Sequence, residues 1–227
     1  MKTRKHWVWF GLGSLFSLLF VVWTLVVKFV DVQVGGESNV AIGLGSLNIG
    51  FFDAVGSSNF WQSVTKYLGY LTILVVVGLL VWQLVLMIRQ KSWRLARHWW
   101  VLDGVLVALV VTYLLFETLV INERPILVDG VAGASYPSSH GMLFMTILPL
   151  AILTIWREIK CRPLNVILTV VLSILLLVGV VGRTLCGLHW LTDVFGAVWF
   201  SLAALFFDIA LTFPGDKLII KQQHELR

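Results

Sequence analysis

A chain of 227 residues with 59% hydrophobic and 13% charged residues, and a mean hydropathy of +0.92, is too apolar for a soluble domain, where charged residues make up about a quarter. The formal net charge of +5 calls for no nucleic-acid partner, because the basic residues gather as they do in the cytoplasmic loops of a membrane protein. Cys161 and Cys186 fall on opposite faces of the topology below, which excludes a disulfide or a cysteine-based zinc site.

Stretches of about 20 apolar residues predict six spanning helices at 7–27, 68–88, 99–120, 138–156, 164–181 and 191–213. The fold class is therefore all-α, a six-transmembrane-helix bundle, with one membrane domain over 1–227. The first stretch is too long for a secretory signal and no small-residue cleavage site follows it, so it reads as a retained helix. The longest loop, 28–67, carries Phe51, Phe52, Val55, Trp61 and Val64 at near-helical spacing. This pattern fits a short helix lying in the interface or a lip that guides a lipid toward a site.

Basic residues set the orientation, since Lys and Arg of short loops stay on the cytoplasmic side. Thirteen of seventeen lie at the N-terminus, between spans two and three, between spans four and five, or in the tail. Both termini are thus predicted inside, and loop 28–67 outside. Within the spans, Asp103 and Asp208 lie toward the cytoplasmic ends, within expected reach of Arg94 or Arg97. Glu117 lies instead at the outer end of the third span.

The outer face is poor in basic residues, yet it holds Arg124 in Asn122-Glu123-Arg124-Pro125 and Arg183 ahead of His189 and Asp193. It also holds Tyr136-Pro137-Ser138-Ser139-His140 immediately before an apolar run. Serine is a preferred N-cap, and a helix start offers unpaired N–H groups to an anion. His189 and Asp193 are four apart, which places them on one face of a helix beginning near His189. A carboxylate that fixes one imidazole nitrogen leaves the other free as base or nucleophile. Each segment alone also fits an ordinary capped helix or a structural hydrogen bond. Together, from separate loops on one face, they form a set suited to phosphoryl transfer. A competing reading makes His140, His189 and Asp193 a metal site, which the two arginines beside them disfavour.

These residues resemble the signatures of the type 2 phosphatidic acid phosphatase superfamily: K-x6-R-P, P-S-G-H and S-R-x5-H-x3-D. Arg124 and Pro125 match the end of the first; Pro137, Ser138 and His140 match the second, with Ser139 in place of Gly. Arg183, His189 and Asp193 match the third, with Gly182 in place of Ser. The resemblance implies a lipid phosphatase that needs no metal or other cofactor and works through a phosphohistidine. In it His189 is the nucleophile, Asp193 its orienting partner and His140 the acid, while Arg124, Arg183 and the Ser138 to His140 amides hold phosphate. Glu117 departs from the pattern, standing where the family has lysine. It is expected to point away, to pair with Arg124 or Arg183, or to mark an altered enzyme.

The expected partners are the bilayer and a lipid phosphate, met at the outer leaflet of the cell membrane. Undecaprenyl pyrophosphate leads, ahead of phosphatidylglycerophosphate, phosphatidic acid and diacylglycerol pyrophosphate. The reading from another class is a catalytically silent protein that binds or transports anionic lipids.

Overall fold

The computed structural model describes residues 2–37 and 39–212, with side chains from His6 onward. The last residue of the sixth expected span and the basic tail residues Lys217, Lys221 and Arg227 lie outside the described residues, as do the side chains of Lys2, Arg4 and Lys5. Long helices dominate because uninterrupted apolar sequence in lipid must satisfy its backbone internally. They are α1 (Lys2–Phe29), α3 (Asn59–Gln90), α4 (Arg97–Leu119), α5 (Ser139–Glu158), α6 (Arg162–Leu185) and α7 (Leu191–Thr212). All six are long and apolar enough to cross a membrane, so the chain is a multi-pass membrane protein.

α5 and α7 form the centre, with 56% and 44% of their apolar stretches buried against at most 22% for the others. The core joins Phe144, Leu148, Leu150 and Ala151 of α5 to Trp99 and Leu102 of α4, Leu79 of α3 and Leu172 of α6. α1 lies along α7 through ring contacts of Phe16 with Trp199 and Phe206. At one end Asp208 pairs with Arg157, Nη2 to Oδ2 at 2.8 Å, and Asp103 accepts from Gln83 at 2.8 Å. The partners therefore come from within the spans, where a buried carboxylate must be satisfied locally, and not from Arg94 or Arg97.

The loop between α1 and α3 is more built than its sequence suggests. A hairpin of β1 (Gln33–Gly35) and β2 (Val40–Ile42) leads into α2 (Gly45–Val55). α2 is anchored by fully buried Asn48, whose amide donates to Thr192 Oγ1 at 2.9 Å and accepts from the Thr192 N–H at 3.2 Å. This segment is a clamp on the first turn of α7. Ser58 caps α3 by accepting from Trp61 N–H, so the second span begins at Asn59, nine residues before the expected Leu68. At 32 residues, α3 is ~48 Å long, well beyond a hydrocarbon core of about 30 Å. Its polar first turns consequently reach the level of the loops. Cys161 and Cys186 flank opposite ends of α6 and are both free.

Candidate active site

The end of α4, the start of α5 and the end of α6, with the first turns of α3 and the loops that follow α4 and α6, enclose a cavity of about 600 Å³. Arg124, Ser139, His140, Arg183 and His189 line it, together with Glu117. Ser138 and Asp193 are fully buried behind this wall. The motifs from three separate stretches of sequence thus converge at one end of the bundle.

A bridge between Glu123 and Ala134 pairs the strand-like edges of the α4–α5 loop. Arg124 N–H donates to Gly133 carbonyl at 3.0 Å, and Ser135 N–H to Asn122 carbonyl at 2.9 Å. This pairing holds Arg124 beside Ser135 and the start of α5. Tyr136, buried at 1% exposure, meets Thr24 of α1 hydroxyl to hydroxyl at 2.8 Å; burial raises its phenol above the usual range. Trp190 donates from its indole to the Glu123 carbonyl at 2.6 Å and so ties the α6–α7 loop to the same hairpin.

His189 sits two residues before α7, so its contact with Asp193 comes from the turn that leads into the helix. Nδ1 lies 2.9 Å from the Ser135 carbonyl and 3.6 Å from Asp193 Oδ2. A carbonyl only accepts, so the proton is on Nδ1 and the lone pair on Nε2. The expected lock, Asp193, is the more distant of the two acceptors and is committed to accepting Trp190 N–H at 2.9 Å. Ser135 is therefore a site residue that the motifs do not reveal, because it acts through its backbone. His189 Nε2 is buried without a hydrogen-bond partner, as is Arg183 Nε. Burial, followed by the nearby Arg183, Arg124 and His140, holds the His189 imidazole well below its ordinary pKa, so it is neutral.

Ser138 caps α5 by accepting Gly141 N–H at 3.3 Å, and its own N–H donates to the Asp193 carbonyl at 3.1 Å. It joins two motifs structurally but does not line the cavity. Its amide is spent on that bond, which speaks against the expected phosphate contact from Ser138, whereas Ser139 and His140 do line the cavity. Glu117 is exposed at the cavity, and no ion pair among the described residues joins it to Arg124 or Arg183.

α3 supplies a wall that the motifs did not predict. Gln62 donates to the Cys186 carbonyl at 3.1 Å, and Arg183 Nη1 donates to Thr65 Oγ1 at 3.4 Å. A Cβ at Gly69 would stand 2.7 Å from the His140 ring, and one at Gly182 only 2.6 Å from Thr65 Cγ2. At 182, where the resemblance has serine, a side chain would press on Thr65 and Trp61 of α3. In sequence the signal was the spacing of Gln62, Thr65, Lys66, Gly69 and Tyr70, one helical face, hidden because the first three fall in the stretch 28–67 that reads as loop. Among the described residues no group of three or more His, Cys, Asp or Glu side chains is arranged to hold a metal ion.

Residues 117–214 match the family model described as the PAP2 superfamily. The crystal structure described as the first transmembrane PAP2 type phosphatidylglycerolphosphate phosphatase, from Bacillus subtilis, shares the fold. Its TM-score is 0.58 at 15% identity, covering 87% of this chain and 94% of that one. No curated protein matches the sequence. The matched segment 117–214 holds Arg124, Arg183, both cavity histidines and Asp193, and it is this part of the chain that is similar to the PAP2 superfamily.

Proposed function

We propose that the protein is a lipid phosphate phosphatase that works through a phosphohistidine and needs no metal. The observation that carries this reading is the pair of unpartnered buried atoms, His189 Nε2 and Arg183 Nε. A neutral nucleophilic nitrogen and a cationic donor share one cavity with a second arginine and a second histidine. Such an arrangement suits a tetrahedral anion.

In the reaction proposed, Arg124, Arg183 and the first-turn amides at Ser139 and His140 hold the phosphoryl oxygens. The Nε2 lone pair of His189 forms a bond to phosphorus as the bond to the leaving oxygen breaks. That oxygen keeps the electron pair and takes a proton from His140, which enters the step as the imidazolium and leaves it neutral. Positive charge grows on the His189 ring, and Asp193 and the Ser135 carbonyl stabilise it through Nδ1–H. Water then attacks phosphorus, giving its proton to His140, and the P–N bond breaks to release phosphate and restore both histidines.

The basic loops 89–97 and 157–162 lie at the helix ends opposite the cavity. By the positive-inside rule, the site then faces outward in the cell membrane with both termini cytoplasmic. Undecaprenyl pyrophosphate is the leading substrate; phosphatidylglycerophosphate, phosphatidic acid and diacylglycerol pyrophosphate are its competitors. The fold shared with a protein described as a phosphatidylglycerolphosphate phosphatase supports including that lipid in any trial.

Phosphate release by the purified protein from these four lipids, with and without EDTA, tests the reading. Hydrolysis of at least one, insensitive to EDTA and absent in His189→Ala, is expected. Lipid binding without phosphate release from any of them would favour the silent lipid-binding alternative, and strong EDTA sensitivity would contradict the metal-free scheme.

A further inference from the structure

We infer that Lys66 of α3 is a phosphate-binding residue, supplying from another helix the ammonium that position 117 lacks. The inference rests on the phosphatase reading for its substrate, a lipid phosphate, but the group recognised is the phosphate itself. Lys66 lines the cavity alongside Arg124, Arg183, His140 and His189, yet it lies outside the segment 117–214 that matches the family.

Its position follows from the packing of α3. Thr65, the preceding residue, accepts from Arg183, and Gly69, three residues on, abuts the His140 ring. Gln62, Thr65, Lys66 and Gly69 recur at helical spacing along one face, so Lys66 belongs to the stripe that touches the site. Its side chain is exposed, and no ion pair among the described residues engages it. A long unpaired ammonium at a cavity wall is free to follow an anion.

Charge balance gives it work. The formally charged lining residues other than Lys66 are Arg124 and Arg183 against Glu117 and Asp129, which cancel. Lys66 gives a lining that is otherwise formally neutral a net positive charge, which adds to the local attraction of the two arginines for a phosphate dianion. The glutamate on α4 and the lysine on α3 are thus two parts of one arrangement, in which the cation has moved across the cavity.

The test measures two quantities on full-length protein in detergent: steady-state hydrolysis of the best lipid substrate, and binding of inorganic phosphate by titration calorimetry. Lys66→Met is expected to raise KM about tenfold, equivalent to ~1.4 kcal/mol, with kcat changed much less. The Kd for inorganic phosphate rises in parallel, and Lys66→Arg restores both. A purely structural role would not give this KM-against-kcat split with rescue by arginine. Unchanged KM and phosphate affinity in Lys66→Met would overturn the inference while leaving the phosphatase reading intact. Phosphate binding that depends on Lys66 in a protein without turnover would uphold it and sink the phosphatase reading instead.

Discussion

The His189 ring donates its Nδ1–H hydrogen bond to the Ser135 carbonyl, 2.9 Å away, while Asp193 Oδ2 stands farther off at 3.6 Å. Where a carboxylate is the sole lock on a histidine tautomer, changing it to the amide costs about 10⁴-fold in kcat. Here the backbone carbonyl keeps the tautomer when the carboxylate is neutralised. Asp193→Asn should therefore lose about 10- to 100-fold, through weaker stabilisation of the charged ring, while His189→Ala loses all measurable turnover. Steady-state rates of the two variants check this, and equal losses would make Asp193 the true lock.

The neutral state of His189 has a pH signature. Its pKa is lowered by burial and then by Arg183, Arg124 and His140, so this group does not titrate near the ordinary value of about 6.5. Protonating it favours the unfolded chain, which binds the proton first as pH falls. Stability should thus be independent of this group above pH ~6.5 and decline below it. Melting temperatures in detergent from pH 8 to 5 should fall less in His189→Gln than in the wild type.

Gly69→Ala separates helix propensity from site geometry. Alanine favours a helix over glycine by about 1 kcal/mol, yet its Cβ would meet His140 Cδ2 at 2.7 Å and Nε2 at 2.8 Å. The ring must move, and a misplacement of about 1 Å costs a reaction roughly 100-fold. The expected variant is folded, at least as stable in its melting curve, and about 10- to 100-fold slower in kcat. Full activity would show that His140 is not held at this contact.

Restoring serine at position 182 should harm this protein even though the family motif carries it. A Cβ there meets Thr65 Cγ2 at 2.6 Å and Trp61 Cε3 at 2.9 Å. Overpacking of this kind costs about 1–3 kcal/mol, and the displaced α3 releases the Thr65 contact with Arg183. A lower melting temperature and a raised KM in Gly182→Ser are the outcomes to measure.

Much of this arrangement was legible in the sequence, and the omissions share a cause. Six apolar runs gave the spanning helices to within a few residues, except at α3, because Asn59 to Tyr67 reads as polar loop though it continues the helix. Arg124, His140, Arg183 and His189 were found by type and spacing and do line one cavity. Side-chain chemistry is visible in sequence; backbone chemistry is not, which is why the Ser135 carbonyl went unseen. Gly69 and Gly182 carry no group to notice, and their importance appears only as the closeness of α3. Asn48 lay in a loop read as an interfacial helix or a lipid lip, whereas it clamps Thr192.

Glu117 offers a direct reading of cavity charge. It is exposed at the cavity and unpaired with either arginine, so Glu117→Gln should alter KM by less than about threefold, whereas Glu117→Lys adds a cation and lowers KM by about 3- to 10-fold. Collapse of kcat in Glu117→Gln would assign the carboxylate a part in the chemistry.

The phosphohistidine is the centre of the account, and trapping it is the most direct measurement. Protein mixed with lipid labelled in the transferred phosphate and quenched within the first turnovers should carry label that is stable to alkali and lost in acid. Peptide mapping should place it on His189, with none in His189→Ala. Turnover with no trapped label, or label that persists in His189→Ala, would contradict the mechanism.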